Sequence, residues 1–130
     1  MKLEDQKKID EALKVLTALK EKRGGKILEF HKKAANDPTL LAAFTSQYDF
    51  CNAPQNTVLE RKYRELLLMA LGCSAGVPVT VKTHGELALK NGATIEEVAE
   101  VLRLVFFYCG ASKLIPSVEI FDLLAGSEDM

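Results

Sequence analysis

Apolar residues recur at helical spacing along most of the chain, and no stretch alternates apolar with polar positions as a half-buried strand would. Over residues 3–22, Leu3, Ile9, Leu13, Val15, Leu16 and Leu19 are separated mainly by helical intervals, with charges between them. Gly24 and Gly25 are expected to stop that helix. The segment KILEFHKKAAN, residues 26–36, reads as a second, shorter helix. Asp37 followed by Pro38 predicts an N-cap with proline at the first helical position, opening PTLLAAFTSQYDF. CNAPQN, residues 51–56, reads as a loop. Thr57 and Glu60 spell a capping box ahead of VLERKYRELLLMALGC, which SAGVP then breaks. Pro78 is expected to start the next helix, running to about Asn91, with Gly92 just beyond its end. Thr94 and Glu97 form a second capping box, before IEEVAEVLRLVFFYC. Gly110 interrupts, and Pro116 is expected to begin a last helix, SVEIFDLLA. The fold class is all-α, and 130 residues fit one domain spanning 1–130.

Two of these helices are too apolar for a small monomer. Between Val98 and Ala111 the only charges are Glu100 and Arg103, and between Leu66 and Cys73 there are none. A helix apolar nearly all round must be covered on every side. A chain of this size has little covering surface to spare. The expectation is self-association through interfaces that resemble a domain core cut in half, with a compact monomer built on central helices as the alternative.

Charge narrows the partners. A formal net charge of −1 gives no global field for nucleic acid or an anionic membrane. Residues 1–33 carry ten Lys/Arg against six Asp/Glu, and residues 86–130 three against eight. That asymmetry reads first as two solvated helix surfaces, or as an aid to subunit pairing. The N-terminus is charged and lacks the apolar run of a secretory signal, and no stretch is long and apolar enough to cross a bilayer. Cys51, Cys73 and Cys109 form no CxxC and no zinc spacing. They read as reduced, small core residues of a cytoplasmic protein.

The candidate chemistry rests on two inward-facing polar residues. On a wheel through 78–91, Lys82, Glu86 and Lys90 form a solvent face. His84 lies on the other side with Val81, Leu87 and Ala88, and Thr80 one turn before it. Glu65 shares its stripe with Val58, Arg61, Leu68, Met69 and Gly72, so its carboxylate is expected to be partly buried and to need a partner. Taken singly, His84 reads first as a satisfied core histidine and Glu65 as half of a structural ion pair with Arg61, and only second as catalysts.

The spacing of these residues resembles the carboxymuconolactone decarboxylase family, which includes the alkylhydroperoxidase D-like proteins. The family pattern runs E-x11-C-x2-C-x3-H, followed by a helix end and G-A-T-x-E-E. Here Glu65 is followed by Val77, Thr80 and His84, then by NGATIEEVAEVL at 91–102 and GASKLIP at 110–116. The likeness covers roughly residues 57–124. It implies a helical protomer of the alkylhydroperoxidase D-like type that assembles into a homo-oligomer, a trimer or hexamer, with Glu and His facing a shared pocket. Val77 and Thr80 stand where the family's two cysteines would be, so a dithiol peroxidase mechanism is not expected.

By the same resemblance, the branch without paired cysteines points to a lyase acting on a small carboxylated lactone from aromatic-compound breakdown. His84 would donate the proton, Glu65 would orient it or share the proton, and Thr80 would hydrogen-bond a substrate oxygen. Arg61 and Arg64 would bind the anionic group. No cofactor and no metal are expected: His31 and His84 are far apart, and His31 reads as a surface residue of a lysine-rich helix. The partners expected are a small-molecule substrate and further copies of the chain, not nucleic acid or membrane. Two other readings stay open: a different small-molecule enzyme or binding module on this fold, and a non-enzymatic helical oligomer.

Overall fold

The computed structural model describes residues 3–119, 121–122 and 125–130. Its helices are α1 (Gln6–Lys22), α2 (Glu29–Ala34), α3 (Pro38–Asn52), α4 (Arg61–Ala75), α5 (Pro78–Lys90), α6 (Ile95–Cys109) and α7 (Ala111–Val118), with one 3-10 turn at Pro54–Asn56. The chain is all-helical, with no strand among the described residues. It divides into two compact units, Met1–Val58 and Leu59–Met130.

The first unit packs Ala12 and Leu19 of α1 against Ala35 and Leu41. Asp5 caps α1 by accepting from the Lys8 N–H, and Asp37 caps α3 through the Leu40 N–H, with Pro38 at the first helical position. His31 corrects the expectation of a surface residue: it is only 2% exposed. It lies one turn before buried Ala35, whereas Lys32 and Lys33 point outward. Its ring packs edge-on against Phe30 and beside Phe44, and its Nδ1 accepts from the Leu28 N–H at 3.0 Å. That is the backward half of a capping box, a role usually filled by Glu or Gln. Cys51 is exposed, not a core residue.

The second unit has its core between α4, α5 and α6, around Leu66, Met69, Cys73, Val81, Ala88, Val98 and Val105. Thr94 opens α6 with a complete capping box. Its hydroxyl accepts from the Glu97 N–H, and Glu97 Oε2 accepts from the Thr94 N–H at 2.8 Å. Glu97 Oε1 also takes the Lys62 ammonium at 3.0 Å, tying α6 to α4. These two contacts, the backbone bond first, hold the Glu97 carboxyl below the usual carboxylate range.

The same pattern at Thr57 and Glu60 makes no capping box. The Thr57 hydroxyl donates to the carbonyl of Pro54, the first residue of the 3-10 turn, so α4 begins only at Arg61 and exposed Val58 is not part of its stripe. Pro116 does not open a helix either. Gly110 makes the break with φ 79°, and α7 starts at once with Pro116 inside it. Among the described residues of the expected SVEIFDLLA helix, Ser117 and Val118 alone are helical; Ile120, Leu123 and Leu124 lie outside the described residues. The expectation that the apolar helices are covered all round is not met within the chain. Phe107 and Tyr108 of α6 are 85% and 89% exposed, and Leu67 and Leu71 of α4 are exposed as well.

Candidate functional site

The site is built on a tight helical hairpin. Gly76 ends α4 in the left-handed conformation, φ 71° and ψ 40°. Its N–H bonds the Cys73 carbonyl at 3.1 Å, and the Val77 N–H bonds the Gly72 carbonyl at 2.9 Å. That double closure is a Schellman motif. Pro78 then starts α5 after a two-residue connection, its fixed φ suited to the first helical turn. The helices run antiparallel: Gly72 meets Thr80 and Val81, and Gly85 meets Met69. The absent side chain at Gly72 is what permits the contact, because a Cβ there would stand 2.8 Å from Thr80 Cγ2.

Two turns toward the start of α4, the same register brings Glu65 to His84. His84 Nδ1 lies 2.5 Å from Glu65 Oε2, and Arg61 Nε–H donates to Glu65 Oε1. The carboxylate therefore receives one donor on each oxygen. The arrangement fixes the His84 proton on Nδ1 and leaves Nε2 as the outer ring nitrogen. Burial is graded: the Glu65 side chain is 4% exposed and that of His84 26%. A buried carboxylate thus holds an imidazole that is itself only partly buried.

Residues 38–122, about two thirds of the chain, match the profile of the carboxymuconolactone decarboxylase family. The chain belongs to that family. The match begins at the first residue of α3, so the likeness reaches further toward the N-terminus than the Glu/His pattern alone. The chain is also 31% identical over 70 residues to an uncharacterized protein of Methanocaldococcus jannaschii. That alignment covers 54% of this chain and 65% of the relative, so it spans less than two thirds of that protein's length. No solved structure matches the chain.

In this member of the carboxymuconolactone decarboxylase family, Val77 is the exposed residue before α5 and Thr80 is half-buried in its first turn. The Thr80 methyl is turned onto Gly72. Arg61 lies on the Glu65 face of α4 with its guanidinium largely exposed. Arg64 is half-buried and engaged in interactions of its own. One residue from Glu65 on a helix, it projects about 100° round the axis. Cys73 is fully buried in the core, and Cys109 lies beside Ser74 at 3.8 Å.

Among the described residues no group of three or more His, Cys, Asp or Glu is placed to hold a metal ion, and no helix is long and apolar enough to cross a membrane. Lys113 of α7 was not singled out by the sequence. Its ammonium lies over Gly76, 3.5 Å from where a Cβ would stand. No pattern along the chain signals this, because the contact joins α7 to the turn between α4 and α5.

Proposed function

We propose that the chain is an acid–base lyase acting on a small carboxylated lactone, with His84 as proton donor. The observation that carries this is the graded Glu65–His84 pair: a buried carboxylate against Nδ1 of an imidazole whose side chain keeps about a quarter of its surface exposed. Loss of CO₂ leaves an electron pair on a carbon conjugated to a carbonyl. The resulting enolate oxygen takes a hydrogen bond from the Thr80 hydroxyl, and the carbon takes a proton from Nε2 of the imidazolium. Afterwards Nδ1–H remains bonded to Glu65, which held the charged ring before transfer. Such general acid catalysis is worth about 10²–10⁴-fold. The exposed guanidinium of Arg61 binds the departing carboxylate, with Arg64 in a lesser part because of its direction. A dithiol peroxidase is disfavoured by Val77 and Thr80 at the two cysteine positions and by the burial of Cys73.

The test is CO₂ release from a carboxylated lactone by the wild-type chain and by His84→Ala. The expected result is loss of turnover by about 10²–10⁴ with folding retained. Equal turnover in the two proteins overturns the assignment. Lactone binding without CO₂ release favours the second reading, a binding protein or different enzyme on this fold.

The same reading includes self-association. Leu104, Phe107 and Tyr108 share one exposed face of α6 at helical spacing, and a second copy of the chain is the partner proposed for it.

A further inference from the structure

We infer that Lys113 is the anion receptor at the far end of the His84 site. The inference rests on the reading of His84 and Thr80 as the reacting end, and it supplies a cation that neither arginine provides on that side. Lys113 is half-buried. Its ammonium lies over the turn between α4 and α5, beside Gly76. Among the described residues no carboxylate is within ion-pair distance of it, and its Nζ makes no hydrogen bond. The carbonyl of Lys113 is engaged. The buried Ser117 hydroxyl donates to the Lys113 carbonyl at 2.7 Å, next to Pro116, whose ring removes one helical hydrogen bond.

The hairpin also sets the spacing. Lys113 stands at the level of Gly76, Thr80 at the level of Gly72, and His84 one turn further along α5. Each four-residue step rises about 6 Å, so the two ends lie about 12 Å apart along the hairpin. Subtracting a hydrogen bond of about 3 Å at each end leaves about 6 Å for the ligand. That is the length of a small ring bearing a short carboxylate arm, with Thr80 level with its middle. A half-buried ammonium without a counter-charge is suited to such a carboxylate, because the bond it forms is charge-assisted and poorly screened. The competing role is structural. α4 has no basic residue in its last turn, and Lys113 there would merely offset its carbonyl ends.

Two titrations by NMR separate these roles. The first uses γ-carboxymethyl-γ-butyrolactone and its neutral amide, read at the His84 ring and the Thr80 methyl. The wild-type chain is expected to bind the acid about tenfold or more tightly than the amide. Lys113→Met should erase that preference while leaving amide affinity unchanged, and Lys113→Arg should restore most of it. A preference that survives in Lys113→Met overturns the inference. The second titration uses acetate, read at the Gly76 amide. A saturable shift in wild type, absent in Lys113→Met, supports the receptor without reference to any lactone, and no shift in wild type overturns it. If acetate binds while neither lactone moves His84, the acid–base reading fails and the receptor stands. A lower Tm in Lys113→Met with unchanged ligand preference marks the structural role.

Discussion

The Thr80 side chain occupies the space above Gly72 that any other residue at position 72 would fill. A Cβ there would also come within 3.1 Å of the Val81 backbone nitrogen, which cannot rotate away. Gly72→Ala gains about 1 kcal/mol of helix propensity but overpacks the hairpin by about 1–3 kcal/mol. Its Tm is expected to fall. Gly85→Ala presents the opposite case. Its Cβ would meet only Met69 Sδ at 3.4 Å, at the flexible end of a side chain, so its Tm is expected to hold or rise. A thermal melt of each variant checks the opposed signs.

Glu65 serves two donors at once, and an amide cannot. Arg61 can only donate, so in Glu65→Gln the amide oxygen stays with it and the NH₂ group turns to His84, which can accept it only by giving up its Nδ1 proton. The charge assistance of both bonds is lost, at a cost of about 1 kcal/mol each. The expected readouts are a lower denaturant midpoint and ¹⁵N shifts in which His84 no longer keeps its proton on Nδ1. An unchanged tautomer would show that Glu65 does not orient the ring.

Acid should loosen the first unit through His31. Burial pushes its imidazole below the ordinary value of 6.5, and the Arg23 guanidinium adds to the effect. The unfolded chain therefore binds the proton more readily than the folded one. Stability from this group is fully present above about pH 6.5 and is lost as pH falls from there through the folded value. Protonation also removes the acceptor for the Leu28 N–H. His31→Gln is expected to flatten this part of the stability profile, followed by urea melts between about pH 7 and pH 5.

Phe107 and Tyr108 make no large contribution to the chain's own core, so changing them should affect assembly before folding. Phe107→Asp combined with Tyr108→Ser is expected to lower the mass measured by light scattering while leaving the helical circular dichroism in place. An unchanged mass would place the contact between copies elsewhere.

Much of the fold was legible because helix caps act locally. Thr94 and Glu97 close a capping box as their spacing predicts, and Asp37–Pro38 opens α3. The identical spacing at Thr57 and Glu60 failed because a neighbouring carbonyl took the threonine first. Pro116 misled because Gly110 had already supplied the break, so the proline fell inside α7. His31 was misjudged from the lysines beside it, although its one-turn relation to Ala35 marks the buried side. Glu65 and His84 were each legible as inward-facing from periodicity, and only the family spacing suggested that they meet. Lys113 was not legible, since its place depends on how α7 crosses the hairpin turn.

Glu97 has one duty for each oxygen: Oε2 finishes the first turn of α6, and Oε1 moors that helix to α4 through Lys62. A single proton there weakens the cap and the mooring together. Glutamine can keep the cap but brings no charge for the lysine, and aspartate is a carbon too short to span both. The position couples the start of α6 to its docking, so the helix that carries the proposed contact surface loses its beginning and its anchorage in one event.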